Sequence, residues 1–378
     1  MIYLDYLAST PCDPDVIAEM QRCFSDLHGN PNSAHHAPGR AAALKIEAAR
    51  AAVARLIDAS PQEVIFTSGG TESNNLAIKG AAHFLKKHGD PRRRIITAAT
   101  EHKCVLEAVH DLEQEGFEPV ILPVLSNGAV SPDALAEALA VPTLLVSIMG
   151  ANNETGVMND LPTLSALARG KGALFHCDAS QMIGKVPFSC ADVDLASFSS
   201  HKIYGPQGVG ALYVQRRPRI RLAPLFSGGG QERGLRSGTL PVALIAGFGL
   251  ACALCQTHMA SEAPRLAALR DALFNGLKAL WPRSVMNGRG AARLPGALNI
   301  CLKNGPEAQG LMVLTPELAY SSASACMSGD VAPSYVLRAM GLSEADAGRS
   351  LRLSVGRFTS SSDISRALDI FGRALQAN

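Results

Sequence analysis

The sequence predicts an α/β fold, and three observations carry that expectation. Short β-branched runs alternate with helical patterns from residue 37 to residue 214, the order that builds a sheet layered with helices. Several runs, such as "TLLVSIM" at 143–149 and "GALYV" at 210–214, are apolar at successive positions. Strands of a parallel sheet covered on both faces have that character. The rhythm then changes after about residue 258, where a second, smaller α+β unit is expected.

The elements follow in order. "APGRAAALKIEAARAAVARLI" (37–57) is an Ala-rich amphipathic helix, "EVIFTS" (63–68) a strand, "NNLAIKGAAHFLKKH" (74–88) a helix and "RRIITAA" (93–99) a strand. "EHKCVLEAVHDLEQEG" (101–116) is a helix that stops at Gly116, and "EPVILPV" (118–124) is a strand. "SPDALAEAL" (131–139) has a Ser cap and Pro in its first turn, a helix-start signature. "TLLVSIM", "ALFHCD" (173–178), "DLASFS" (194–199) and "GALYV" complete the strand series. Beyond residue 258, "SEAPRLAALRDALFNGLKAL" (261–280) is a long helix, "ALNICL" a short strand, and "PSYVLRAMG" and "ISRALDIFGRALQ" are helices.

Composition narrows the function classes. With 378 residues, 47% apolar and 18% charged, the chain is long enough for one large or two smaller well-cored domains. A net charge of +2 gives no electrostatic case for nucleic acid or an anionic membrane. The start "MIYLDYLAST" lacks the basic and apolar regions of a secretory signal. The longest uncharged run, Leu240 to Cys255, has 16 residues with Pro241, Gly247 and Gly249. That falls short of the about 20 apolar residues of a membrane span, so a buried helix is expected. Nine scattered cysteines, an odd number without an export signal, point to reduced thiols in the cytoplasm. Cys252 and Cys255 form a C-x-x-C inside the apolar run and read as small buried hydrophobes; no metal site is expected.

In open α/β sheets ligands bind beyond the carboxyl ends of the strands. After "EVIF" comes Thr67-Ser68-Gly69-Gly70-Thr71-Glu72-Ser73 and then a helix. Such small residues let backbone N–H groups approach an anion, though an ordinary capped turn has the same look. Later strands deliver Thr100-Glu101-His102, the run from Gly150 to Gly156, Asp178 with Gln181, and Ser200-His201-Lys202. One such residue is commonly a cap; five groups at one sheet edge are not. A partly desolvated Lys forms a Schiff base, an Asp keeps a pyridine nitrogen protonated, and a Gly/Ser/Thr helix start takes a phosphate. Pyridoxal 5'-phosphate needs all three.

The sequence resembles the NifS/IscS-like cysteine desulfurases, fold-type I pyridoxal-phosphate enzymes of the class V aminotransferase family. The motifs "YLDYLAST", "GNPNSAHH", "FTSGGTESNNLAIKG", "TEHK", "NNETG", "FHCDASQ", "SFSSHKIYGPQGVGALYV", "GGGQERGLRSGT", "SSASAC", "PSYVLRAMG" and "LRLSVGRFT" carry it along nearly the whole chain. The resemblance implies a large domain, 14–258, with a mainly parallel seven-stranded sheet flanked by helices. A small α+β domain, 1–13 with 259–378, would carry a catalytic cysteine loop. It also implies removal of sulfur from L-cysteine to give L-alanine and a protein persulfide, passed to a sulfur acceptor or scaffold protein.

Roles carry over by motif. Lys202 resembles the lysine that binds the cofactor covalently, Asp178 the partner of the ring nitrogen, and Gln181 the donor to the ring phenolate oxygen. His102 resembles the imidazole stacked on the ring and active in proton transfer. Gly70, Thr71, Ser199 and His201 resemble phosphate ligands. Thr239 resembles a phosphate contact from the other subunit, which implies a homodimer. Asn153 and Arg352 resemble the groups that meet the substrate carboxylate. Cys326, in the Ser/Ala/Gly-rich "SSASACMSGD", resembles the nucleophile and persulfide carrier.

The chain departs from the family pattern at Gly70 and Ala323, where many relatives have Ala and Gly. Its ending soon after the last helical pattern suggests that a scaffold-gripping tail is missing. A selenocysteine lyase, an aminotransferase and a catalytically silent partner-binding subunit remain as alternatives. The sulfur acceptor is not specified.

Overall fold

All seven strands expected between residues 63 and 214 form in the computed structural model, which describes residues 1–308, 310–314, 316–322 and 333–376. They are β2 (Val64–Thr67), β3 (Arg94–Ala98), β4 (Glu118–Leu122), β5 (Thr143–Ser147), β6 (Leu174–Asp178), β7 (Leu195–Ser199) and β8 (Gly210–Val214). The short β1 (Ile2–Tyr3) precedes them. The seven make one sheet in the order β2-β8-β7-β6-β5-β3-β4. All are parallel except β8, which runs against both neighbours. Strands β5, β7 and β8 are buried along their whole length, which is why they read as continuous apolar runs.

Helices α1 (Pro14–Asp26), α2 (Ala37–Leu56), α3 (Gly70–Lys87), α4 (Lys103–Glu113), α5 (Pro132–Ala138) and α6 (Leu161–Gly170) cover this sheet. Five of the six start at a capping residue: Asp13, His36, His102, Ser131 and Asp160 cap the starts of α1, α2, α4, α5 and α6 with side-chain acceptors. Helix α3 begins four residues before the expected Asn74. Its first turn is polar and has no apolar periodicity to read. Gly69, at φ 154° and ψ −173°, sets the start, a conformation open only to glycine.

The largest difference from expectation is α7 (Val242–Leu280), one unbroken helix of 39 residues. It joins the apolar run at 240–255 to the pattern at 261–280, and the change of rhythm near residue 258 lies inside it. The intervening "QTHMAS" holds no Gly or Pro to stop a helix, and Pro264 is accommodated within it. Apolar enough over part of its length to match a membrane span, α7 instead packs into the protein. Ile245, Phe248, Ala251, Cys252 and Cys255 join the core under the main sheet. The glycines of the run permit this: a Cβ on Gly249 would stand 2.6 Å from Ala49 of α2, and one on Gly247 2.8 Å from Met20 of α1.

Farther along, Leu269, Leu273 and Leu277 of α7 enter a second core with Ile2 and Leu4. That core covers an antiparallel sheet of β9 (Val285–Met286), β10 (Ala297–Cys301), β12 (Ser321–Ser322) and β13 (Ser350–Ser354), ordered β12-β13-β10-β9. β11 (Leu318–Ala319) pairs with β1. Helices α8 (Tyr335–Ala339), α9 (Glu344–Gly348) and α10 (Ser361–Gln376) complete the chain. Cys326 and Ala323 lie outside the described residues.

Candidate active site

Strand order reverses about β3 and β5, which are neighbours although β4 lies between them in sequence. Such a switch point opens a crevice at the carboxyl ends of the strands. A cavity of about 460 Å³ lies there. The start of α3 gives it Gly70 and Thr71, and the turn after β3 gives His102. Asn153 follows β5, while Asp178 and Gln181 come from the end of β6. Ser199, His201 and Lys202 come from the end of β7, and Arg352 reaches in from β13. Ten of the twelve sequence-expected residues thus share one cavity. Thr239 stands apart, exposed, in a separate hollow with Phe24, His28 and Asn30. Cys326 is outside the described residues.

Lys202 Nζ donates to the carbonyls of Leu7 (2.8 Å) and Ala8 (2.7 Å). Burial pushes its ammonium down to about 8, and Arg352 adds to the effect against Asp178 and Asp5. The two carbonyl dipoles hold the amine in place, no carboxylate among the described residues is paired to it, and burial with Arg352 favours its uncharged, nucleophilic form.

Asp178 is fixed as an acceptor. Its Oδ2 accepts from Asn74 Nδ2 at 2.7 Å and its Oδ1 from the backbone N–H of Ser180 at 3.0 Å. Gln181 donates from Nε2 to the Leu7 carbonyl (2.8 Å) and accepts at Oε1 from Lys185 Nζ (2.7 Å).

His102 opens onto the cavity and caps α4. Its Nδ1 accepts from the backbone N–H of Cys104 at 3.3 Å, with Cys104 Sγ at 3.0 Å. An accepting Nδ1 leaves the proton of the neutral ring on Nε2. The protein around it lowers the His102 pKa, Asp178 opposing and Lys202 and Lys103 reinforcing. His201 is pushed down to about 4 by burial and by Lys202 and Lys185; its Nδ1 lies 3.1 Å from Ser9 Oγ.

Arg352 is already partly engaged. Its Nη2 reaches Asp5 Oδ1 (3.0 Å) and Ser321 Oγ (2.7 Å), and Nη1 reaches the Asn153 carbonyl at 3.4 Å. Among the described residues, its Nε and the buried Asn153 Oδ1 have no partner.

Sequence reasoning missed several groups here. The Leu7 and Ala8 carbonyls carry no side-chain signal at all. Asp5 stands in a quoted motif but has no strand-end position. Asn74 had a readable sign: with Ala77, Ile78 and Ala81 it occupies the buried face of α3, where an amide needs a partner. Cys104 lines the cavity, its thiol accepting from Asn74 Nδ2 at 3.2 Å, and burial pushes it up to about 11, with Asp178 adding to the rise.

The donor set fits pyridoxal phosphate. The first N–H groups of α3 are left over by the helix. Beside them the buried Ser180 Oγ has no partner among the described residues, and a Cβ on Gly70 would come within 3.1 Å of that oxygen. An amine, a held carboxylate and an imidazole complete the requirements of the ring.

Comparison with known proteins agrees with this geometry. The aminotransferase class-V family model matches residues 2–367. A cysteine desulfurase IscS of Shewanella baltica (strain OS223) is 47% identical over 99% of this chain and 92% of its own. A solved NifS-like protein superposes with a TM-score of 0.91 at 35% identity, covering 100% of both chains. A structure of SspA in complex with cysteine gives 0.83 at 35% identity, covering 95% of this chain and 100% of that one. Class-V aminotransferases and IscS-type desulfurases depend on pyridoxal phosphate. The chain belongs to the aminotransferase class-V family and, within it, to the NifS- and IscS-like cysteine desulfurases.

Proposed function

We propose that this protein is a pyridoxal-phosphate-dependent cysteine desulfurase that converts L-cysteine to L-alanine and a persulfide on Cys326. Lys202 would hold the cofactor covalently, Asp178 would keep its ring nitrogen protonated, His102 would stack on the ring and Gln181 would donate to the ring oxygen. Gly70, Thr71, Ser199 and His201 would take the phosphate. When bound, the cofactor would supply an electron sink for the charge left at the substrate Cα. The Lys202 amine would take the Cα proton. Arg352 and Asn153 bind the substrate carboxylate, and His102 Nε2–H serves as a proton donor facing the cavity. The Cys326 thiolate attacks the substrate sulfur. The new S–S bond replaces the C–S bond, whose electrons stay with the carbon skeleton and are protonated as alanine forms.

One observation carries the sulfur-transfer step. Ser321, just before the segment that holds Cys326, is bonded to Arg352 and donates to Asp5 Oδ2 at 3.0 Å. Just after that segment, Tyr335 Oη donates to the carbonyl of Glu101, next to His102, at 2.6 Å. Both anchors are thus tied to the cavity wall. The reading of SspA as a relative that holds cysteine supports the same substrate.

The enzyme works as a cytoplasmic homodimer. Thr239 is exposed, and beside it Phe24 is 67% exposed; a second subunit covering this hollow would carry its Thr239 to the partner's phosphate. Residues 14–258 form the cofactor domain and residues 1–13 with 259–378 the small domain, supported by the core that joins Ile2 and Leu4 to Leu273 and Phe371.

The test is Cys326→Ser. Sulfide and alanine production from cysteine is lost, the visible cofactor band stays, and the wild-type Cys326 peptide alone gains one sulfur atom on exposure to cysteine. Wild-type sulfide release by the variant refutes the assignment. Sedimentation measures the dimer.

A further inference from the structure

Lys185 has no place in the chemistry above, yet it lies one residue from the site. It sits behind the cavity wall, lining a small apolar space of about 30 Å³ with Tyr6, Leu7, Tyr204 and Leu266. Leu7 lines both this space and the cofactor cavity. Among the described residues, the Lys185 side chain makes one hydrogen bond, from Nζ to Gln181 Oε1 at 2.7 Å, and no carboxylate lies within 4.0 Å of Nζ. A largely buried lysine without a counter-ion is costly, so its retention needs a reason beyond packing.

The donor arithmetic supplies one. A lysine amine only donates toward an amide oxygen, whether charged or neutral. It therefore claims Oε1 of Gln181 and turns Nε2 to the cavity side, where one N–H meets the Leu7 carbonyl at 2.8 Å. The other N–H is left for the cavity. Lys202 Nζ uses the same Leu7 carbonyl at 2.8 Å. The two lysines are thus linked through one amide and one carbonyl. A flipped amide would present Oε1 to a ring oxygen, two acceptors face to face.

We infer that Lys185 is a positioning residue of the cofactor site, holding the Gln181 amide so that its N–H, not its oxygen, meets the cofactor ring oxygen. The inference rests on the proposed role of Gln181. Burial, and Lys202 after it, push Lys185 down to about 7. The bond to Oε1 survives deprotonation, because the neutral amine still has hydrogens to give.

The test reads the pH midpoint of the visible cofactor band in the holoenzyme, which reports the proton shared between imine nitrogen and ring oxygen. The titratable groups around Lys185 are Lys202, His201 and Tyr204 after β7, Tyr6 from the N-terminal segment and Cys255 from α7, with Arg357 beyond it at 3.8 Å from Cys255 Sγ. The cavity that would take the ring is lined by Asp178, His102 and Arg352 among others. Lys185→Met matches the stem length and removes the donor; Lys185→Gln keeps an N–H donor and removes the charge.

In Lys185→Met the ring oxygen loses its held donor, the protonated form persists to higher pH, and the midpoint rises by about 0.5–1 unit. Lys185→Gln stays within about a third of that shift. An unchanged midpoint in Lys185→Met overturns the inference, as do equal shifts in both variants, which would mark a through-space charge effect. If Lys185→Met does not fold, the same decision passes to Gln181→Met with and without Lys185→Gln: positioning predicts no further shift from the second substitution, and an added shift overturns it. A wild-type protein with no visible band fails earlier, at the proposed function itself.

Discussion

The side-chain amide of Asn74 donates to the carboxylate of Asp178 across 2.7 Å, tying the second turn of α3 to the end of β6. The bond fixes the carboxylate proposed to meet the cofactor ring, from a helix whose own start is proposed to meet the phosphate. Hydrogen bonds to charged groups contribute about 1.5–3 kcal/mol. Asn74→Leu keeps the volume and loses the donor. Titration of the cofactor-free variant, followed by absorbance, is expected to show cofactor affinity reduced by roughly tenfold or more. Unchanged affinity would show that the backbone N–H of Ser180 is sufficient to hold Asp178.

The amine of Lys202 sets the pH range of cofactor capture. Its pKa is lowered from 10.5 to about 8, so the ammonium dominates below that pH and the reactive amine above it. The rate of uptake by the cofactor-free protein is expected to rise with pH through about 8 and then level off. After burial, Arg352 contributes most to the lowering. Arg352→Ala therefore moves the curve to higher pH, which stopped-flow absorbance would register.

Arg352 is also proposed to bind the substrate carboxylate. With Nε unpartnered among the described residues and Nη1 only weakly engaged, it retains donors for a carboxylate. Charge-assisted pairs of this kind contribute about 1.5–3 kcal/mol. Steady-state kinetics of Arg352→Ala should show KM for cysteine raised by about 10- to 100-fold, with Arg352→Lys recovering part of the loss because it lacks the planar fork. An unchanged KM would place the carboxylate elsewhere.

Gly69→Ala tests the start of α3. A Cβ there has room, its nearest neighbour being Ser199 Oγ at 3.9 Å, so any cost comes from the backbone at φ 154°. Such conformations cost about 1–3 kcal/mol for other residues. Chemical denaturation should show a loss of that size, with weaker phosphate binding as the helix start shifts. Gly70 has ordinary helical backbone, and Gly70→Ala is expected to keep the cofactor.

Much of this site was legible because strand-end chemistry follows apolar runs that are easy to locate. Asp178, His102 and Lys202 each stand directly beyond a buried strand, and the fold brings them together there. What escaped has physical reasons. Residue type says nothing about main-chain acceptors such as Leu7 and Ala8. The antiparallel run of β8 leaves no mark on its apolar pattern, since burial on both faces looks the same in either direction. The continuity of α7 was hidden by a change in composition that carries no helix stop. Asn74 opened the expected helix next to a polar turn and so passed for a helix-start residue, although its spacing from Ala77 and Ala81 marks the buried face.

The short stretch from Asp5 to Thr10 gathers partners from distant parts of the polypeptide. Asp5 meets Arg352, the Leu7 N–H meets Ser354 Oγ at 2.9 Å, the Leu7 and Ala8 carbonyls meet Lys202, and Thr10 Oγ1 donates to the His201 carbonyl at 3.0 Å. A ribosome releases this stretch long before it makes residues 352 and 354. The earliest piece of the pocket therefore meets its first partners only once His201 and Lys202 are made, and its last only when Arg352 and Ser354 follow, so a complete vitamin pocket belongs to the late stages of synthesis.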